Sequence, residues 1–195
     1  MPPDPLHTAQ ASQTDSGTPT LPTQPFRIGM GYDLHRLESF PADGTPPAKG
    51  QPVRPLILGG VKIPHDLGVV AHSDGDAVYH AITDALLGAL AQQDIGQLFP
   101  DTSLPNKGQD SAVFLRYAAT LVGKLGYSIA NLDATIILER PKISPHKLAI
   151  RTNIARELSL DLSQVNIKGK THESLDSLGA GRGVEVHVVV LLLKK

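Results

Sequence analysis

An α+β domain built on a mixed β-sheet is the fold class this sequence predicts, and three observations lead there. Runs that alternate apolar with polar residues, or are rich in branched ones, recur at Phe26–Arg36, Leu132–Leu138, Gln164–Lys170 and Val184–Leu193, as strands do. Stretches of helical spacing fall between them in the order β, β, α, α, β, α, β, β, which is not the regular alternation of a βαβ protein. The 195 residues suffice for one hydrophobic core, and with 41% hydrophobic but only 4% aromatic residues that core is aliphatic. The sequence contains no internal repeat.

The elements follow in order. Met1–Pro25, rich in Pro, Thr, Ser and Gln, reads as a disordered tail. It lacks the basic start and apolar middle of a signal peptide, and it carries Asp4 and Asp15 but no Lys or Arg, unlike a transit peptide. Phe26–Arg36 is a strand that frays into a loop, and Ser39–Pro55 is a loop. Leu56-Ile-Leu58 starts a short strand that Gly59-Gly60 turns into a hairpin with Val61–Pro64. Ser73 or Asp74 is the expected N-cap of a helix whose apolar face is Val78, Ala81, Ile82, Ala85, Leu86 and Ala89. Gln93–Thr102 is an acidic loop. Asp110 caps a second helix with a core stripe of Val113, Tyr117, Leu121 and Leu125. Ser144-Pro145 opens a third, with Leu148, Ile154 and Leu158 inward and His146 at the surface. Gln164–Lys170 is a half-buried strand. Val184–Leu193, almost continuously apolar, is a last strand expected to be covered on both faces. Residues 26–195 thus form one domain.

Composition narrows the function. The net charge is −1 and Lys and Arg form no run, so neither nucleic acid nor a membrane surface is an expected partner. Apolar runs such as Val188–Leu193 are far too short to span a bilayer. There is no cysteine, which excludes disulfides and thiolate metal sites and leaves His, Asp and Glu as ligands. A soluble, cytoplasmic protein of bacterial type is expected.

The stretch Gly68–His80 concentrates chemistry, with two histidines and two aspartates running into an apolar helix. Asp76, His80 and Asp84 stack along one side of that helix at intervals of four. Read alone, the stretch is more simply a capped helix with a hydrogen-bonded histidine. Asp33 and His35, two apart on a strand, point to one face and offer two ligands together. If they meet His80, two imidazoles and a carboxylate would hold Zn²⁺ with one position open, and Asp76 and Asp84 would steady the unbound nitrogen of His80. His72 lies just before the helix, where free N–H groups favour an anion. Lys142, Lys170, Thr171 and Arg182 could donate to phosphate, although each alone is an ordinary surface residue.

Arg27–His35, Ala71–Asp76, Thr83–Gly88, Asp94–Asp101, Pro141-Lys142 and Lys170–Glu173, taken together and in this order, resemble the 2-C-methyl-D-erythritol 2,4-cyclodiphosphate synthase family of the non-mevalonate isoprenoid pathway. The resemblance covers Arg27 to about Leu193. It implies a phosphorus–oxygen lyase that cyclises 4-diphosphocytidyl-2-C-methyl-D-erythritol 2-phosphate and releases CMP by metal-assisted intramolecular phosphoryl transfer. It implies helices on one side of the sheet, in a chorismate-mutase-like or ferredoxin-like arrangement. It also implies a homotrimer with the sheets around its axis and active sites between subunits.

On this resemblance Asp33, His35 and His80 bind Zn²⁺ or another divalent metal, and Glu173 helps hold Mg²⁺ or Mn²⁺ between the substrate phosphates. His72 and Thr171 stabilise the transition state. Asp94, Ile95 and Gly96, with Phe99, Pro100, Asp101, Thr102 and Ser103, meet the methylerythritol part. Leu138–Ser144, Lys142 among them, forms the cytidine pocket. Leu34, Ser73, Lys170, His172 and Arg182 complete the substrate contacts, with Arg182 near the central trimer cavity. Two loops depart from the compact bacterial pattern: Ser39–Pro55 is longer, and Ser174–Arg182 is longer and lacks an aromatic, as in plant forms. No cytidylyltransferase domain precedes this one in the sequence, so the fused bifunctional form is not expected. Two other classes share features of this reading. A zinc-dependent phosphoester hydrolase would use the same ligands but give open-chain products. A non-catalytic metal- or nucleotide-binding module would be indifferent to His72→Ala and Thr171→Ala.

Overall fold

Two glycines of the first strand decide where the longest buried helix lies. In the computed structural model, which describes residues 24–42, 51–100 and 108–195, strand β1 (Phe26–Ser39) runs under helix α1 (Ala77–Ala89). A Cβ on Gly29 would stand 1.9 Å from the Ala85 carbonyl oxygen, and one on Gly31 would stand 1.8 Å from that of Ala81. Only hydrogen at both positions lets the helix backbone rest directly on the strand. Because Gly31 meets Ala81 and Gly29 meets Ala85, the helix runs antiparallel to the strand, and residues beyond Gly31 face its first turn. The other end is closed by Arg27, whose Nε donates to the Ala89 carbonyl at 2.5 Å, a cation at the negative end of the helix.

Around this pair the chain builds a six-stranded sheet. Its further strands are β2 (Val53–Arg54), β5 (Leu67–Val70), β6 (Tyr127–Ile137), β7 (Val165–Lys170) and β8 (Gly183–Lys194), in the order β2–β5–β1–β8–β6–β7. β6 and β7 are parallel and the other pairs antiparallel, so the sheet is mixed, as expected. β3 (Ile57–Leu58) and β4 (Val61–Lys62) form the expected separate hairpin. Helix α3 (Ala112–Lys124) packs beside α1 and against β6, α4 (Lys147–Leu158) packs beside α3 and over β7, and two short helices, α2 (Ile95–Leu98) and α5 (Asp176–Gly179), lie in loops. Between the layers Val184, Val186, Val188, Val190 and Leu192 of β8 are fully buried, each worth about 1.5–3 kcal/mol of transfer free energy.

Several expectations are corrected. β1 does not fray after Arg36 but pairs on to Ser39 against β5. The Ser39–Pro55 loop includes strand β2; residues 43–50, like the tail up to residue 23, lie outside the described residues. The core side of α3 is Ala112, Phe114, Leu115, Ala118 and Val122, whereas Val113 and Tyr117 are exposed. The apolar residues there outnumber one face, and the spacing i, i+4 fits either stripe. Leu148 of α4 is likewise exposed, and Ile150 takes the inward place.

Within this one chain the last strand is covered on one face, which leaves the expected subunit contact to cover the other. Its other face continues that of β1, through the pairs Phe26–Leu193, Ile28–Leu191, Met30–Val189, Tyr32–His187 and Leu34–Glu185. Phe26, Ile28, Met30, Leu34 and Val189 are exposed, so the chain presents a broad apolar face on the side away from α1.

Candidate active site

β1 and the start of α1 meet at a cluster of three ligand-type side chains. Asp33 and His35 leave the strand on the side that α1 covers, two residues beyond the glycine seat. His80 stands one turn into the helix. His35 Nδ1 and His80 Nδ1 lie 2.9 and 3.1 Å from Asp33 Oδ2, and one ligand atom from each residue falls within 4.8 Å of the others. Burial works to raise the Asp33 pKa, but the two imidazoles beside the carboxylate reverse this and hold it well below the usual range. Burial also works to lower the His80 pKa, and Asp33, with Asp76 and Asp74, turns it upward. His35 Nδ1 is buried without a hydrogen-bond partner although it lies so close to the carboxylate. A nitrogen placed that way is suited to sharing a cation with the carboxylate. Two imidazoles and one carboxylate make a possible site for a divalent metal, with a position left for another ligand.

The helix start differs from the expectation. Its N-cap is Asp76, not Ser73 or Asp74, and this fully buried carboxylate accepts from Val78 N, Tyr79 N, Gly59 N and Gly60 N at 2.6–3.1 Å. It therefore ties the β3–β4 turn to the helix. Burial pushes its pKa up to about 6, while the four N–H donors pull it down. The first-turn N–H groups of Val78 and Tyr79 are thus engaged by Asp76 rather than offered to an anion beside His72. Nor do Asp76 and Asp84 hold the far nitrogen of His80. That nitrogen, Nε2, lies 2.8 Å from Ser111 Oγ and 3.3 Å from Ser73 Oγ. Asp84 instead accepts from Ile95 N at 2.8 Å and so anchors α2, whose N-cap is Asp94.

The predicted residues separate into two clefts of one chain. Asp33, Leu34, His35, His72, Ser73, His80, Ile95, Gly96 and Phe99 line an open cleft of about 510 Å³. Leu138, Glu139, Lys142, Ile143, Ser144, Lys170, Thr171 and Glu173 line another of about 270 Å³; the Arg140–Pro141 bond, between Glu139 and Lys142 in the chain, is cis. The two clefts share no lining residue. Among the described residues, four buried side-chain atoms lack a hydrogen-bond partner, and three of them belong to cleft residues: His35 Nδ1, His72 Nε2 and Glu139 Oε2. In the second cleft Thr171 Oγ1 donates to Glu173 Oε1 at 3.0 Å, and Glu173 and Ser174 hold left-handed backbone at φ 51° and 62°. His172 pairs with Asp176 at 3.0 Å. Arg182 is exposed just before β8, and its carbonyl oxygen accepts from Leu37 N. Asp94 and Pro100 line neither cleft, and Asp101, Thr102 and Ser103 lie outside the described residues.

Sequence reasoning missed three contributors. Ser111 was hidden because Asp110 beside it explains the helix start, and Asp110 does accept from Ala112 N. Arg54, in a proline-rich run, reaches the carbonyls of Ala71 and His72 at 3.4 Å and steadies the backbone of the His72 segment. Phe114, on the buried side of α3, lines the first cleft and stacks on Phe99 at 4.5 Å between ring centres.

A mixed-sheet α+β fold with a histidine–carboxylate cluster at the mouth of an open cleft defines an enzyme with a possible divalent-metal centre. The chain belongs to the YgbB family, which matches residues 26–193. It is 52% identical over 183 residues to the chloroplastic 2-C-methyl-D-erythritol 2,4-cyclodiphosphate synthase of Arabidopsis thaliana, covering 93% of this chain and 74% of that one. It is also 52% identical over 167 residues to the synthase of Chromobacterium violaceum, covering 86% and 98%. Among solved structures, a Plasmodium falciparum IspF in complex with CDP superposes with a TM-score of 0.72 at 42% identity, over 87% of this chain and 97% of that one.

Proposed function

We propose that the chain converts 4-diphosphocytidyl-2-C-methyl-D-erythritol 2-phosphate into 2-C-methyl-D-erythritol 2,4-cyclodiphosphate and CMP. The observation that carries this reading is the 52% identity to a synthase of which the chain covers 98%. In the reaction an oxygen of the 2-phosphate attacks the β-phosphorus, the bond from that phosphorus to the CMP oxygen breaks, and a cyclic diphosphate closes. Such a transfer needs alignment and charge neutralisation rather than a covalent nucleophile.

Asp33, His35 and His80 would hold a divalent ion, and their two imidazoles and one carboxylate favour Zn²⁺. When bound there, the ion supplies Lewis-acid neutralisation and a fixed place for phosphate oxygens. His72, whose Nε2 is buried without a partner, donates to a phosphate oxygen. Thr171 donates its hydroxyl to the same group. Lys142 and Lys170 neutralise the diphosphate, and Glu173 would help hold Mg²⁺ or Mn²⁺ at the substrate phosphates. Ile95, Gly96 and Phe99 close on the methylerythritol end, with Asp94 and Asp84 setting the α2 turn that carries them. Leu34, Ser73, Pro100, Asp101, Thr102, Ser103, His172 and Arg182 belong to the same proposed set.

We further propose a homotrimer in which the apolar face of β1 and β8 is buried around the axis, in a chorismate-mutase-like arrangement. Two facts support it: an exposed apolar face of this breadth marks an interface, and the two clefts of one chain share no residue, as halves completed by neighbours would. Residues 26–195 are taken as a single domain, residues 1–25 as a tail dispensable for activity, and the setting as cytoplasmic. Among the described residues no helix is long and apolar enough to cross a membrane.

Phosphorus NMR of the purified protein with substrate, Zn²⁺ and Mg²⁺ tests the reaction. Stoichiometric CMP with a cyclic diphosphate is expected. Open-chain phosphates would establish hydrolysis instead, and unchanged substrate a binding module.

A further inference from the structure

His80 carries its imidazole between two different neighbourhoods, and the one away from Asp33 is fully formed within the chain. Nε2 lies 2.8 Å from Ser111 Oγ. Ser111, completely buried, donates that same hydroxyl in a short hydrogen bond to Asp74 Oδ1, and its backbone N–H donates to Asp74 Oδ2 at 3.2 Å. Asp74 in turn accepts from Asp76 N at 3.2 Å. The same two segments are clamped by backbone bonds, Gly108 N to His72 O at 2.8 Å and Asp74 N to Gln109 O at 3.1 Å.

The direction of the chain follows from donor counting. An ionised carboxylate only accepts, so the single hydroxyl proton of Ser111 goes to Asp74. Ser111 Oγ then has only lone pairs to offer His80, and Nε2 must be the protonated nitrogen. This leaves Nδ1 as the lone-pair side of a neutral ring, 3.1 Å from the Asp33 carboxylate. Without a metal, a proton on Nδ1 bonds it to Asp33, and a bound cation would take that proton's place between the two acceptors. Ser73 Oγ, 3.3 Å from Nε2, cannot set the direction so firmly, because it also accepts from Gly75 N.

We propose that Ser111 and Asp74 are positioning residues for the metal: a one-way relay, His80 Nε2–H to Ser111 and Ser111 O–H to Asp74, locks the tautomer that presents Nδ1 to Asp33 and His35. The proposal rests on the metal reading of Asp33, His35 and His80. It places part of the metal's affinity on the first residues of α3, far from those ligands in sequence. Ser111 is a favourable residue to test, because its side chain makes no capping bond to the helix and its N–H would keep its Asp74 partner in an alanine variant.

The test uses the full chain. Zn²⁺ affinity is measured by competition with a chromophoric chelator, the visible spectrum is recorded with Co²⁺ in place of Zn²⁺, and the metal-free proteins are melted. Ser111→Ala should bind Zn²⁺ about 10- to 100-fold more weakly, with shifted Co²⁺ bands and an unchanged metal-free melting point. Asp74→Asn, which retains an acceptor oxygen, should lose less. Wild-type affinity and spectrum in Ser111→Ala would overturn the relay. So would a loss of affinity accompanied by an equal loss of metal-free stability, which would assign Ser111 a structural role only. His80→Ala separates the two levels: if it keeps one Zn²⁺ per chain, or the wild type takes up none, the metal site itself fails and the relay with it.

Discussion

The two clefts of this chain differ in how much of their order is already present in the folded protein. Around His80 the groups are buried and bonded on nearly every side: Asp33 toward the strand, Ser111 and Asp74 toward α3, and Asp76 beneath the helix start. Around Thr171 the polar side chains of Lys142, Lys170, Thr171 and Glu173 are exposed, Thr171 bonds to Glu173, and Glu173 and Ser174 hold left-handed backbone. A metal with short, directional bonds requires the first kind of site. A flexible anionic ligand can organise the second kind as it binds, using charges that solvent otherwise screens. The cleft at His80 therefore fails through the fold, and the cleft at Thr171 through chemistry.

Gly31→Ala should break the rigid cleft most severely. The added carbon would meet the Ala81 carbonyl at 1.8 Å, and backbone cannot yield as a side-chain tip can. Urea unfolding should show a loss of more than about 3 kcal/mol, together with weakened metal retention. A wild-type unfolding curve would mean that the helix is not seated on the strand.

Acid titration sharpens the same side. Burial raises the folded Asp76 to about 6, against about 3.9 when unfolded, so the folded state binds the proton more tightly. Its contribution is therefore fully present below about pH 4 and is lost as pH rises through 6, by about 3 kcal/mol in total. Relative to Asp76→Asn, the wild type should lose stability between pH 4 and pH 7 in urea titrations. A relative gain would show that the four N–H donors outweigh burial.

Thr171→Ala should have the smallest structural effect. The hydroxyl is at the surface of the open cleft, so unfolding free energy should change by less than about 0.5 kcal/mol and bound zinc should stay the same. Turnover should fall about 10- to 100-fold, the worth of one hydrogen bond to a charged group. Loss of zinc would erase the distinction between the clefts.

Local pattern made much of this readable in advance. A period-two run marked β7, a continuous apolar run marked β8, the Gly59-Gly60 pair marked the hairpin, and Asp33-x-His35 announced two ligands on one face because residues two apart on a strand share a face. The misreadings have equally local causes. On α3 an apolar excess let Val113 and Tyr117 pass for core, since spacing reports a stripe but not which stripe meets the neighbour. At the head of α1, Ser73, Asp74 and Asp76 are all competent caps, and only the approach of Gly59 and Gly60 selects Asp76.

The sequence by itself determined the aliphatic core, the order of the three long helices and of strands β1, β6, β7 and β8, the absence of thiolate ligands, and the ligand types at residues 33, 35 and 80. These depend on residue identity and on the repeat of one strand or one helix. Tertiary structure decided that the three ligands converge, that Ser111 and not Asp84 supports His80, and that one face of β1 and β8 stays open. Those outcomes depend on how closely Gly29 and Gly31 admit a helix 50 residues away in the chain, a distance no local period encodes.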